Sequence, residues 1–285
     1  MEKKSTPHFI NFCDFRESEK ILILLRPFFR HTPDLFSRLR SKPNLGQQTS
    51  LERLWIIFQL VFATYELFAE SERLHGDLKS ENVFVTAGNE VLITDPAWMK
   101  PLYVKDLCEY SFFFESTSEL GCYLAPERFR KKSSDDTKFD VFSLGCLVAE
   151  ICLGRKVLQL ADVLNYCGIP EIDKVDLKIR NLILKMTAKD PNERPSLDEV
   201  LEDELFPKSF RNLHLPLSFI FKKLSHEVRI CFLRLRFSEL LSRIDKKDPF
   251  SPMIKTRSDF KTISERSSKR IRGFSVTPGA CTVKC

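Results

Sequence analysis

Apolar and polar residues alternate in blocks that predict a mostly helical chain with a few short strands. The longest apolar run, residues 54–69, contains one glutamine and one glutamate and is shorter than the ~20 residues that a membrane-spanning helix needs. Thr49 and Glu52 form a T-x-x-E capping box just before this run. We therefore expect a buried core helix that begins at Ser50 and continues to about Glu70.

Two pairs of short apolar stretches predict two β-hairpins. Near the start of the chain, apolar stretches flank the polar sequence DFRESEK, residues 14–20, which we expect to connect two strands. Further on, residues 83–85 (VFV) and 91–93 (VLI) are typical of strands. Between them, Gly88 and Asn89 suit a two-residue turn, because both residue types tolerate a positive φ.

The pattern changes to helical spacing from Lys138 onwards. The segment that follows, FDVFSLGCLVAEICLG, carries few charges, so we expect this helix to be buried. Helical patterns then continue to about Ile244. Residues 246–285 contain Pro, Ser, Thr and basic residues with little apolar content, and we expect this tail to be disordered.

Composition and charge narrow the classes of protein. With 285 residues, of which 43% are hydrophobic, the chain is long enough to bury one sizeable core. Ten Lys or Arg and three Asp or Glu give residues 246–285 a charge of +7, so the total of +6 leaves −1 for residues 1–245. A nearly neutral folded part does not indicate a nucleic-acid partner. The nine cysteines include no CxxC pair, which favours reduced thiols in a cytosolic protein.

Residues 75–82, HGDLKSEN, carry the strongest chemical signal. They match H-R-D-L-x-x-x-N, the catalytic loop of protein kinases, at every defined position except the second. In such a loop Asp77 would accept a hydrogen bond from the attacking hydroxyl group, Lys79 would face the transferred phosphoryl group, and Asn82 would hold a magnesium ion. Asp95 is the candidate for a second metal ligand, because Mg²⁺ prefers hard oxygen ligands.

The predicted second hairpin supports this metal pair independently of the motif. A two-residue turn on Gly88 and Asn89 places Asn82 directly opposite Asp95, with Cα atoms roughly 5 Å apart. The alternative is a polar turn-and-strand pattern that matches the motif by chance.

Three further segments occur in the order found in protein kinases. Residues 123–127, YLAPE, resemble the A-P-E motif that closes a kinase activation segment, and residues 190–196, DPNERPS, resemble the D-P-x-x-R-P segment. The resemblance implies a buried ion pair between Glu127 and Arg194. It also implies a structural role for Asp140, at the start of the helix that anchors the catalytic loop.

From about residue 7 to 207 the chain therefore resembles a eukaryotic protein kinase. It is most similar to the kinase-like regulatory subunits of class III phosphatidylinositol 3-kinase complexes, the vacuolar protein-sorting Ser/Thr kinase family, in the segments HGDLKSENVFVT, TDPAWMKP, CYLAPERF and DVFSLGCLVAEI. The resemblance implies an α+β fold with a mostly helical large lobe and a truncated β small lobe. We expect a small-lobe remnant in residues 1–30, the large lobe in 31–207, a helical extension in 208–245 and the basic tail in 246–285.

Several departures from the kinase pattern bear on activity. No two glycines in the chain lie two positions apart, so the sequence contains no G-x-G-x-x-G phosphate-binding loop, and the lysine that ends a V-A-I-K strand is also missing. Gly76 replaces the arginine that often clamps a phosphorylated activation loop. Asp95-Pro96-Ala97 replaces Asp-Phe-Gly, which retains the metal ligand.

Two functions of different classes remain open. The first is a regulatory or scaffold subunit that binds the class III phosphatidylinositol 3-kinase catalytic subunit. By the resemblance it would be cytoplasmic, peripheral on endosomal or vacuolar membranes, active in sorting or autophagy, and weak in its binding of Mg²⁺ and ATP. The second is a working Ser/Thr protein kinase that uses Mg²⁺ and ATP. A third reading is a reading frame truncated at its start, with a full small lobe in the real protein.

Overall fold

The structure is a computed structural model. It describes residues 8–10, 12, 14–17, 22–26, 32–41, 50–86, 89–106, 109, 113, 121–130 and 136–211. The predicted tail, most of the helical extension, Thr49 of the capping box and Gly88 of the turn lie outside the described residues.

Helices form most of the regular structure. The α-helices are α1 (Leu35–Ser41), α2 (Ser50–Ser71), α3 (Lys138–Leu153), α4 (Leu160–Leu164), α5 (Leu177–Met186) and α6 (Leu197–Leu201). Short 3₁₀ turns cover Ser80–Asn82, Pro126–Phe129, Ile172–Lys174 and Pro191–Glu193. The strands are β1 (Asp14–Glu17), β2 (Leu22–Leu25), β3 (Val83–Val85) and β4 (Val91–Ile93). With its two antiparallel hairpins, the fold is α+β, as predicted.

Helix α2 confirms the helix predicted from the longest apolar run. By length and composition α2 could cross a membrane, but 67% of its most apolar window is buried inside the protein, which is typical of a core helix. Trp55 and Phe58 on α2 contact Phe206 and Phe210, with ring centroids 5.0 Å apart for Trp55–Phe210 and 5.4 Å for Phe58–Phe206. These contacts attach the last described segment to the core.

Helix α3 lies at the centre of the large helical part and is buried from Phe139 to Ile151. A helix that is apolar on nearly every side is stable only when neighbours cover all of its faces. Gly145 permits one such close approach, because a β-carbon there would lie 2.5 Å from Thr187 Cγ2 and 3.0 Å from Met186 Cβ.

The first hairpin corrects the sequence prediction. Strand β1 covers Asp14–Glu17, which we had predicted to connect two strands, and it pairs with β2 in the register Asp14↔Leu25. All four residues of β1 are exposed. A strand in contact with solvent tolerates polar side chains, so its sequence resembles that of a loop.

The second hairpin has the predicted strands but a different register. Val83 pairs with Ile93, and Thr94 N donates to Asn82 O at 3.0 Å, so the residue opposite Asn82 is Thr94 and the predicted pairing with Asp95 is wrong. Thr86 N donates to Glu90 O at 2.9 Å, which closes a loop of three residues instead of two. Asn89, the last residue of this loop, has φ 60°, and three-residue hairpin loops commonly end in that left-handed conformation.

Candidate functional site

The start of the candidate catalytic loop is bound to helix α3 through one buried carboxylate. Asp140, in the first turn of α3, accepts hydrogen bonds from His75 N at 2.6 Å and Gly76 N at 2.9 Å. His75 is also buried, and its Nε2 donates to Thr94 O at 2.9 Å. Burial lowers the pKa of His75 and raises the pKa of Asp140. His75 is therefore a packed histidine, and Asp140 fixes the entry of the loop.

Asp77, the predicted base, is a buried carboxylate held by two lysines. Lys100 Nζ lies 2.6 Å and Lys79 Nζ 3.4 Å from Asp77 Oδ2. Lys79 Nζ also donates to Phe113 O at 3.2 Å. Both lysines contact the same oxygen, so among the described residues Asp77 Oδ1 has no hydrogen-bond partner. A carboxylate with one free oxygen can accept the hydrogen bond of an incoming hydroxyl group.

The second hairpin places the two predicted metal ligands at the same end of its strand pair despite its altered register. Asn82 Nδ2 donates to Asp77 O at 2.8 Å, which anchors the amide, and the amide oxygen accepts no hydrogen bond from the residues that the structure describes. Asp95 follows Thr94, the backbone partner of Asn82, and adopts φ 58°. Three other non-glycine residues that the structure describes also have a positive φ, and aspartate adopts this conformation more readily than most residue types.

Asn82 and Asp95 offer two hard oxygen ligands, so these residues fit a magnesium ion. A cation of the chain itself competes for one of them. Arg26 Nε lies 3.6 Å from Asp95 Oδ1, and its guanidinium lies over the Phe84 ring at 5.2 Å from the centroid. A magnesium ion bound here would have to displace Arg26 or share the carboxylate with it.

A buried polar network attaches the end of the catalytic loop to α3. Ser80 Oγ donates to Glu150 Oε1 at 2.9 Å, and Lys156 Nζ donates to Ser80 Oγ at 2.8 Å and to Glu81 Oε2 at 2.9 Å. Burial raises the pKa of Glu150, and the nearby Lys156 opposes this shift. The loop is thus bound to α3 at both of its ends.

The ion pair implied by the kinase resemblance is present and confirmed. Arg194 Nη1 and Nη2 lie 2.6 Å and 2.9 Å from the two carboxylate oxygens of Glu127. Arg194 Nε also donates to Ala188 O at 2.8 Å, Nη1 donates to Lys138 O at 3.2 Å, and the guanidinium lies 5.0 Å from the Phe142 ring centroid. The pair joins two segments far apart in the sequence.

The structure brings the predicted residues Asp77, Lys79 and Asn82 into contact, and Asp95 follows Thr94, whose N–H group donates to Asn82 O. Sequence reasoning missed the cations that contact the two carboxylates, Lys100 and Arg26. Neither lies in a motif that indicates such a contact, since isolated basic residues in loops are usually solvated.

A protein kinase domain family model matches residues 1–206, and the chain belongs to this family. This confirms the resemblance found in the catalytic loop, and the fold and its central ion pair agree with it.

Within the family, the chain is similar to the VPS15 group of Ser/Thr protein kinases. It is 30% identical over 259 residues to the Arabidopsis thaliana serine/threonine-protein kinase VPS15, covering 84% of this chain and 17% of that protein. It is 34% identical over 218 residues to the Saccharomyces cerevisiae VPS15, covering 68% of this chain and 14% of that protein. It is 31% identical over 282 residues to a probable Dictyostelium discoideum vps15 kinase, covering 91% of this chain and 14% of that protein. The chain thus spans less than a fifth of the length of these relatives.

Proposed function

We propose that this chain is the kinase-like regulatory part of a class III phosphatidylinositol 3-kinase complex. It binds the catalytic subunit, is cytoplasmic and peripheral on endosomal or vacuolar membranes, and acts in sorting or autophagy. The similarity to VPS15 kinases over most of the chain supports this kind of complex.

One observation carries the regulatory interpretation: both candidate reactive carboxylates are ion-paired with cations of the chain itself. Lys100 Nζ lies 2.6 Å from Asp77 Oδ2, and Arg26 Nε lies 3.6 Å from Asp95 Oδ1. A metal ion at Asp95 must compete with Arg26, and a substrate hydroxyl must share Asp77 with Lys100, whose charge-assisted hydrogen bond contributes about 1.5–3 kcal/mol. A site whose two carboxylates already contact cations of the chain suits a regulatory role better than rapid turnover.

The sequence also lacks two groups that bind nucleotide phosphates in kinases. Within these 285 residues there is no G-x-G-x-x-G loop and no V-A-I-K lysine. Losing both would forfeit up to about 6 kcal/mol, or roughly four powers of ten in affinity. We therefore expect weak binding of Mg²⁺ and ATP by this chain.

The alternative function is a working Ser/Thr kinase that transfers the γ-phosphate of ATP to protein hydroxyl groups. It is favoured by Asp77 Oδ1, which has no hydrogen-bond partner in the part of the chain that the structure describes and could accept the hydroxyl proton beside Lys79, and by the anchored amide of Asn82. A magnesium ion held by Asn82 and Asp95 would supply neutralisation of phosphate charge.

Nucleotide titration of the purified 285-residue chain with Mg²⁺ separates the two functions. The variants are Asp95→Ala, Asp77→Ala and, as a control, Asp173→Ala, which removes an exposed carboxylate. We expect weak binding that falls further only in Asp95→Ala, and no turnover. Micromolar affinity abolished in Asp95→Ala, with turnover abolished in Asp77→Ala, would make the chain an enzyme.

Co-purification tests the partner directly. The chain is co-expressed with a class III phosphatidylinositol 3-kinase catalytic subunit, with a phosphatidylinositol 3-kinase of another class as the control partner. We expect the class III subunit alone to co-purify, and equally with the Asp77→Ala variant, because the interaction does not depend on phosphoryl transfer. Failure to bind the class III subunit would refute the regulatory role.

A further inference from the structure

Arg128, which follows Glu127, is a buried arginine whose burial no sequence pattern predicts. Arg128 as a whole is only 2% exposed to solvent. Its guanidinium donates to three backbone carbonyl groups: Nη1 to Gly76 O at 2.6 Å, Nε to Leu102 O at 2.7 Å and Nη2 to Pro101 O at 3.2 Å. One side chain therefore connects the catalytic loop with the segment that follows Asp95.

The surroundings of Arg128 favour a fixed guanidinium. It lies 4.9 Å from the ring centroid of Phe113 and 5.6 Å from that of Phe139. Among the described residues it forms no direct ion pair. Burial lowers the pKa of Arg128, and the charges of Asp140 and Asp77 oppose that shift from a distance. Its directed contacts are thus the three carbonyl groups, which a planar donor fork can satisfy together.

The carbonyl of Gly76 belongs to the peptide unit that leads into Asp77. Asp140 binds the N–H group of Gly76 from one side, and Arg128 binds its C=O group from the other. Gly76 itself has φ 75°, a conformation that glycine adopts without steric cost. These contacts together fix the direction in which the Asp77 side chain leaves the backbone.

Pro101 and Leu102 directly follow Lys100, the lysine bound to Asp77. By binding both of their carbonyl groups, Arg128 fixes the position of Lys100 as well. The segment is secured further along, where Val104 N donates to Arg128 O at 2.8 Å. Arg128 therefore holds both partners of the Asp77–Lys100 ion pair.

We propose that Arg128 is a positioning residue that locks the segment 100–104 onto the catalytic loop and sets the Asp77–Lys100 contact without any phosphorylation. The catalytic loop has Gly76 where kinases often carry an arginine that binds a phosphorylated activation loop. Here the guanidinium belongs to Arg128, which lies after the A-P-E motif and not in the catalytic loop. It binds backbone carbonyl groups, so it needs no phosphate as a partner. The lock operates whether or not the chain transfers phosphate.

Lysine labelling measures how firmly Arg128 holds the segment 100–104, because the reactivity of Lys100 reports on its contact with Asp77. The full chain, produced in bacteria and verified as unphosphorylated by mass spectrometry, is treated briefly with an amine-acetylating reagent, and modification is read peptide by peptide. The variants are Arg128→Gln, Arg128→Lys and the control Arg130→Gln, which makes the same charge change at an exposed site two residues away. Exposed Lys105 and Lys156, whose side chain is only 13% exposed, serve as internal references.

In the wild type we expect Lys100 to react at least ten-fold more slowly than Lys105. In Arg128→Gln this protection should fall several-fold while Lys156 stays protected, because only the clamped segment is released. Arg128→Lys should fall between the two, since one ammonium group cannot reach three separated carbonyl groups. Arg130→Gln should match the wild type.

Three results would overturn the proposal. The first is unchanged protection of Lys100 in a folded Arg128→Gln chain, or in Arg128→Lys if the first variant does not fold. The second is a wild-type chain in which Lys100 reacts as fast as Lys105 until the chain is phosphorylated. The third is equal loss of protection at Lys100 and Lys156, because that pattern means general loosening of the core.

Discussion

The ion pair between Glu127 and Arg194 allows the effect of burial on a salt bridge to be measured within one chain. The Arg194 side chain is 0% exposed and that of Glu127 is 11% exposed. We consider the variant Glu127→Ala, which leaves the guanidinium buried without its carboxylate. Breaking one half of a buried pair typically costs about 3–5 kcal/mol.

The structure places the expected cost at the lower end of this range. Arg194 would keep its hydrogen bonds to Ala188 O and Lys138 O and its contact with the Phe142 ring. We therefore expect the free energy of unfolding to fall by about 3 kcal/mol, which corresponds to a decrease in Tm of roughly 6–12 °C for a domain of this size. Glu127→Gln, which keeps the shape and one acceptor, should cost less.

Urea unfolding followed by circular dichroism measures this change, and a second ion pair supplies the control. Arg155 Nη2 lies 2.6 Å from Glu171 Oε2, the same distance as in the buried pair, but these side chains are 45% and 46% exposed. Exposed pairs often contribute nothing measurable, so Glu171→Ala should leave the urea midpoint unchanged. Equal effects of Glu127→Ala and Glu171→Ala would refute the view that burial determines the cost.

Three further outcomes are expected. Arg26→Gln should raise the affinity for Mn²⁺, a probe of the magnesium site, because it removes the cation that competes for Asp95; calorimetry that shows weaker binding would contradict the assigned site. Gly76→Ala should lower the free energy of unfolding by about 1–2 kcal/mol in urea titration, because a β-carbon makes the left-handed conformation costly. Burial raises the pKa of Cys122 to about 12, so iodoacetamide at pH 8 should modify the exposed Cys167 in the native protein and reach Cys122 only after unfolding; early modification of Cys122 would mean that the core opens there.

The sequence is sufficient to predict an element where a pattern repeats over several helical turns, and to predict a site where a motif defines nearly every position. Helix α2 was expected from Ser50 to about Glu70 and extends over Ser50–Ser71, because an apolar run of this length has few alternatives to a buried helix. The catalytic-loop motif likewise identified residues that lie together. Their chemical roles stay predictions.

The sequence is insufficient to predict the strand register where one residue decides between two loop geometries of similar energy. Gly88 and Asn89 suit a two-residue turn, but Asn89 can equally end a three-residue loop in the left-handed conformation, and this difference shifts the register by one. Arg128 posed a different difficulty. From sequence alone, an arginine after the A-P-E motif is expected at the surface, as most arginines are. Only the fold brings three backbone carbonyl groups to it.

The attachment of the catalytic loop to α3 has a consequence for how such a chain can evolve. Two N–H groups at its start donate to Asp140, and Ser80 Oγ donates to Glu150. The side-chain amide of Asn82 donates to Asp77 O within the loop. We expect substitutions at these positions to destabilise the fold whether or not the chain is catalytic, because the contacts attach the loop to the core. A lineage of such proteins could lose phosphoryl transfer and still retain almost the entire sequence of this loop. The retained loop sequence would then reflect the stability of the core, while divergence at Lys79 and Lys100, whose side chains contact Asp77 and do not bind α3 in these hydrogen bonds, would reflect changes in the reaction.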